Sequence, residues 1–172
     1  MFCGRDERLY RQGHRNGKVR KRNLFLAREI VEDKKMIKWE ERYNIGDADV
    51  DKQHRAIFEM FNDFEAFIKE DRGEAYLEKY FPSLDIYAQA HFKHEEALME
   101  KYQCPAAREN KEAHHAFLAK ITDFKKKYKS SRKDNRALMV QVHGFIEAWI
   151  VEHIIGVDSQ LKDCIKNKKS QK

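Results

Sequence analysis

Between residues 57 and 68 the chain places Ile57, Phe58, Phe61, Phe64 and Ile68 at three- and four-residue intervals. That spacing puts side chains on one face of an α-helix. The period returns three times: in Leu84, Tyr87, Ala88, Leu98 and Tyr102; in Ala107, Phe117, Ile121, Phe124 and Tyr128; and in Leu138, Val142, Phe145, Ile146 and Trp149. Asp49 or Asp51 is expected to cap the first helix and Gly73 to end it. A short segment, "EAYLEKYF", then leads to Pro82, which suits the first turn of the second helix. "QCP" and "KSSRKDN" separate the later helices, "IKWEERYNIGDADV" reads as an extended lead-in carrying Trp39, and a short fifth piece, "DSQLKDCIKN", follows the fourth helix. Four amphipathic segments with short connections predict an all-α, antiparallel up-down-up-down four-helix bundle with an N-terminal arm and a short C-terminal helix.

Composition agrees with that reading. Charged residues make up 37% of the 172, enough for four exposed helix faces, and there are only 7 Gly and 2 Pro to interrupt them. The net charge of +6 is concentrated at one end: residues 1–35 hold 11 Lys/Arg against 5 Asp/Glu, and the rest holds 24 of each. Residues 1–35 are therefore read as a basic arm, its first 22 residues disordered and 23–35 able to form a short helix, with an unknown partner. Residues 36–172 are the bundle domain, and no nucleic acid is expected for this electrically balanced body. Cys3, Cys104 and Cys164 are widely spaced and form no CxxC pair. This predicts reduced thiols and a cytoplasmic protein. No apolar run reads as a membrane span.

Extending each apolar stripe shows which polar residues fall on it. His54 precedes Ile57 and Phe58 by three and four residues. His91 and Glu95 continue the series of Leu84, Tyr87 and Ala88. Asn110 and His114 lie between Ala107 and Phe117, and His153 lies four residues after Trp149. Each helix thus aims ligand-type side chains into the core. An unpartnered buried polar group costs about 1–3 kcal/mol. Four inward histidines and a carboxylate from four helices are difficult to satisfy one by one, whereas a metal ion satisfies them together. His14, His94, His115 and His143 lie off the stripes or in the arm and are expected to be exposed or to support the ligands from behind.

The chemistry of the set narrows the metal. "HEEAL" at His94 is not the HExxH of a zinc protease, and there is no phosphate-binding glycine loop or GxSxG elbow. Di-iron bundles of the ferritin type need Glu-x-x-His on two helices; the chain offers that spacing only in "EAHH", pointing off the stripe. Structural zinc favours cysteine. A histidine-rich site with carboxylates bridging two ions fits iron or manganese.

Trp39 with "IGDADVDKQH", "YAQAHFKHEEALMEKY", "HHAF" and "WIVEHIIGVD", in this order, resemble the hemerythrins, specifically the single-domain bacteriohemerythrins. The resemblance runs from about Ile37 to about Ile165. It implies a four-helix bundle holding two non-haem irons that bind O2 reversibly. One iron would be held by His54 and His91, the other by His114 and His153 with one further histidine, and Glu95 and Asp158 would bridge them. His153 and Asp158 are five residues apart, about 140° on a regular helix. The helix is expected to end, widen or distort near Gly156 so that Asp158 turns inward.

The departure from the family pattern is Asn110. The third helix of the family reads His-x-x-x-His with Phe three residues later; Phe117 aligns the second His with His114, so the first falls on Asn110. His115 faces away and cannot replace it. Asn110 could ligate through oxygen, hydrogen-bond a water, or leave the second iron weakly bound. The implied function is O2 storage, delivery or sensing rather than enzymatic turnover, with Phe58, Tyr87, Leu98, Leu118 and Trp149, each one turn from a ligand, lining the O2 pocket. The alternatives are a di-iron centre that reacts with O2, peroxide or NO, and an oxygen- or iron-sensing module whose basic arm engages a partner.

Overall fold

The structure, a computed structural model, describes residues 37–70, 72–131 and 135–169. The arm of residues 1–35 lies outside them. A 3₁₀ turn at Glu41–Tyr43 precedes α1, Ala48–Lys69. Then come α2, Gly73–Tyr102; α3, Ala107–Ser130; and α4, Arg136–Trp149, which continues as a π segment over Ile150–Val157 and leads into α5, Ser159–Lys169. No strand occurs among the described residues. Helix α1 packs on α2, α2 on α3, and α4 against all three, while α5 lies against α2 and the π segment.

Local chemistry explains three differences from the sequence expectation. The cap of α1 is Asp47, whose carboxylate accepts the N–H groups of Asp49 and Val50, both at 3.2 Å. Asp51 instead turns back to accept the N–H of Ile45 at 2.7 Å and of Gly46 at 3.3 Å, pinning the lead-in. Gly46 has φ of 93°, a conformation that suits glycine. Second, α1 stops at Lys69, and Gly73 opens α2 rather than closing α1. Third, "EAYLEKYF" is the first part of α2 itself, and Pro82 stands inside that helix. Proline is costly there, but Pro82 and Glu78, whose carbonyl loses its helical N–H partner, are both exposed residues. Leu77, Tyr80, Phe81 and Leu84, buried on both sides, hold the helix together.

Two apolar clusters form the core. The larger includes Ile57, Phe61, Phe64, Leu77, Tyr80, Leu84, Phe117, Ile121, Phe124, Val142 and Ile146. The smaller contains Ile45, Val50, Leu98, Met99, Cys104, Leu161 and Ile165. Along every helix the ligand-type residues fall between them. Cys104 and Cys164 are joined as a disulfide, with Cα atoms 5.7 Å apart, which corrects the expectation of reduced thiols for these two; Cys3 lies outside the described residues. Sixty residues separate them, a proximity created by α5 folding back onto the α2–α3 connection. Residues Arg136–Asn167 form one helix long and apolar enough, by length and composition, to cross a membrane. Its apolar side is taken up by the bundle, where Leu138, Val142, Ile146, Ile150 and Ile154 are buried.

Candidate metal centre

Antiparallel packing brings the starts of α1 and α3 beside the ends of α2 and α4. His54 comes from the second turn of α1, His114 from the second turn of α3. His91 and Glu95, four residues apart on α2, share a face. His153 and Asp158 depend on the π segment. The Asp158 N–H donates to the His153 carbonyl, five residues back, at 2.9 Å. This is the π pattern rather than the α pattern. The widened turn holds one extra residue and returns Asp158 to the face of His153, with His153 Nε2 3.3 Å from Asp158 Oδ1.

The six side chains are each at most 4% exposed. His54 Nε2 lies 3.4 Å from Glu95 Oε1 and 3.3 Å from Asp158 Oδ2. His114 Nε2 and His91 Nε2 lie 3.3 Å and 3.7 Å from Glu95 Oε2. These separations exceed the usual N–H···O range of about 2.7–3.2 Å, and none of the facing atoms has a hydrogen-bond partner. The donors fall into two groups, His54, His91, Glu95, Asp158 and His114, His153, Glu95, Asp158, each with ligand atoms within 4.8 Å of one another. Both carboxylates belong to both groups.

The electrostatics describe the same crowding. Burial pushes the imidazoles of His91 and His153 down to about 3, with neighbouring imidazoles adding to the effect. Burial also opposes a charge on His54, but Asp158 and Glu95 outweigh it and hold that imidazole up at about 9. Burial raises Asp158 to about 7, assisted by the charge of Glu95. Burial would raise Glu95 as well, but His114 and His54 draw it below the usual carboxylate range. Two adjacent carboxyls cannot both ionise freely, so one keeps its charge and the other tends to keep its proton. Buried, unpartnered imidazole nitrogens and carboxylate oxygens converging in this way fit divalent cations as their common partner.

Asn110 is also fully buried. Its amide nitrogen donates to Met99 Sδ at 3.3 Å, and its carbonyl oxygen has no hydrogen-bond partner. His115 is exposed, and His94 is part-exposed with Nε2 3.8 Å from Asp47 Oδ1. His143 departs from expectation: it is 2% exposed, lies against the Phe61 ring at a centroid distance of 4.6 Å, and approaches Glu65 Oε2 at 3.9 Å in the larger apolar cluster. His14 lies outside the described residues.

The five residues singled out as pocket lining are distributed around the centre. Tyr87 is stacked with His91 at 5.5 Å and donates its hydroxyl to the Gln53 carbonyl at 2.9 Å. Phe58 meets Trp39, which in turn lies 6.3 Å from the His54 ring. Trp149 stacks on His153 at 3.8 Å, on the opposite half. Leu118 lines an open groove of about 820 Å³ that reaches His114, and Leu98 belongs to the smaller apolar cluster. Sequence reasoning missed the groups behind the imidazoles. Gln53 Oε1 is 3.1 Å from His91 Nδ1, Glu96 Oε1 is 3.1 Å from His114 Nδ1, and Phe92 stacks on His114 at 3.9 Å. Only Phe92 and Gln53, each adjacent to a stripe histidine, carried any local signal.

A four-helix bundle whose interior holds four imidazoles and two shared carboxylates belongs to the class of metal-binding bundles. Residues 46–165 match the family described as the hemerythrin HHE cation binding domain. The chain belongs to the hemerythrin family. It is similar to the bacteriohemerythrin of Clostridium acetobutylicum, 28% identical over 134 residues, covering 74% of this chain and 100% of that one. It is also similar to those of Stenotrophomonas maltophilia, 26% identical, covering 76% and 82% of the two chains, and Pseudomonas aeruginosa, 24% identical, covering 77% and 84%.

Proposed function

We propose that this protein is a non-haem di-iron protein that binds O2 reversibly, for storage, delivery or sensing. The observation that supports it best is the pair of buried four-donor groups sharing Glu95 and Asp158. In this reading His54 and His91 would hold one iron, His114 and His153 would hold the other, and Glu95 and Asp158 would serve both. The irons supply reversible electron exchange with O2. The chain's own contribution is to fix the imidazoles, exclude water with Phe58, Tyr87, Leu98 and Trp149, and keep the site between two apolar clusters.

Asn110 favours a second reading, a centre that reacts irreversibly with O2, peroxide or NO. Its carboxamide is a poorer donor than imidazole, and its nitrogen is engaged by Met99. Anaerobic loading of the protein with ferrous iron, followed by exposure to air, separates the two. Two irons per chain and an absorption change that reverses when O2 is removed support reversible binding. Immediate, unrecoverable bleaching to the ferric protein overturns it in favour of the reactive centre. The Asn110→His variant should then slow that bleaching, because an imidazole at this position is a better iron donor than a carboxamide and closes the open position.

A further inference from the structure

The two halves of the centre differ in what stands behind their imidazoles. On the His54–His91 half, His91 Nδ1 faces a neutral amide, Gln53 Oε1, at 3.1 Å, and His54 Nδ1 has no hydrogen-bond partner. On the other half, His114 Nδ1 faces a carboxylate, Glu96 Oε1, at 3.1 Å. Glu96 is part-exposed at the floor of the α2–α3 groove, and Lys111 Nζ lies 3.7 Å from its second oxygen. Its charge therefore remains partly hydrated and neutralised, which a deeply buried carboxylate would not be. The half supported by a charge is the half where Asn110 stands in place of an imidazole.

We propose that Glu96 is a positioning residue that compensates for Asn110 by strengthening His114 as a ligand. The inference rests on the di-iron reading above. An Nδ1–H donated to a carboxylate fixes the tautomer that leaves the Nε2 lone pair directed at the centre. It also makes that nitrogen a stronger donor, and loss of such a supporting partner typically weakens metal binding about 10–100-fold. Gln53 fixes the ring of His91 in the same way but adds no charge. Local sequence gives no hint of the pairing, because Glu96 and His114 lie on different helices and meet only across the α2–α3 contact.

The test is an anaerobic titration of the metal-free full chain with ferrous iron, resolving the first and second binding steps by calorimetry. In Glu96→Gln the second step should weaken about 10–100-fold and the first by much less. Glu96→Asp should recover part of the loss. In the Asn110→His background, Glu96→Gln should weaken the second step much less than it does alone, because the added imidazole makes the support dispensable. Equal binding by wild type and Glu96→Gln overturns the inference alone. So does equal weakening of both steps, or a metal-free Glu96→Gln protein that melts far below metal-free wild type. Wild-type protein that takes up no ferrous iron overturns the di-iron reading and this inference with it.

Discussion

At the scale of single residues, the centre is a collection of titrating groups whose environments conflict, and this gives the metal-free protein a defined response to pH. His91 and His153 titrate near 3 when folded, against 6.5 when unfolded. Between those values the unfolded chain binds more protons, so their contribution is lost as pH falls below about 6.5. Glu95, held low, adds to the loss in acid. Asp158, raised to about 7, acts in the opposite sense, favouring the folded chain until pH climbs through that value. His54 at about 9 also favours the folded chain at low pH, and its contribution is lost as pH rises from 6.5 through 9. Two depressed imidazoles outweigh one raised carboxyl below 6.5, and above it Asp158 and His54 act together. Metal-free stability should therefore peak near pH 6.5, which thermal melts across about pH 4 to 9 will check; a melting temperature still climbing past about pH 8 would contradict it. Five of the six donors were legible as polar interruptions of apolar stripes. Asp158 was not, because it breaks the helical period, and only the resemblance brought it in. Glu96 escaped both routes, since its role arises from a contact between helices.

At the scale of elements, the helices were legible because each buries a stripe at regular spacing, while their boundaries were not. Pro82 illustrates why: its local chemistry argues for a helix start, yet Leu77, Tyr80, Phe81 and Leu84 bury a continuous stripe across it. Tertiary packing overrides the local preference. The helix then carries a cost that substitution should remove. Pro82→Ala adds a backbone N–H on an exposed face and disturbs no buried contact. It should stabilise the protein by about 1–3 kcal/mol, reduced somewhat by the greater freedom of the unfolded chain. A higher urea midpoint with an unchanged slope is the expected result; a lower midpoint would mean that the proline shapes α2 in a way the bundle needs. The π segment shows the reverse case, in which function overrides regularity. His91 and Glu95 reach the centre from an ordinary helix at four-residue spacing, whereas His153 and Asp158 need an extra residue accommodated by i+5 bonding.

At the scale of the whole molecule, a polar layer of ligand-type groups is held between two apolar clusters, and the two ends of the bundle are secured differently. The larger cluster packs aromatic and aliphatic side chains from all four helices, and His143 lies against two of its phenylalanines, Phe61 and Phe64. The smaller cluster is formed by the lead-in, the start of α1, the end of α2 and α5, and carries the Cys104–Cys164 link. Without metal, the layer between them contains imidazoles and carboxylates that lack hydrogen-bond partners. Groups of that kind favour local opening, and ligands that bind the closed form suppress it. Metal removal should therefore loosen one end of the bundle selectively. Hydrogen exchange of the metal-free and iron-loaded protein is expected to differ most at amides near His54, Glu95, His114 and the π segment. Amides near Phe64, Tyr80, Ile121 and Val142 should change little, because the larger cluster holds them with or without iron. The disulfide limits how far α5 can depart, so the opening should centre on the start of α3 and the π segment rather than release the C-terminal helix. Uniform acceleration across all four helices would instead mean that the metal layer and the larger cluster unfold as one unit.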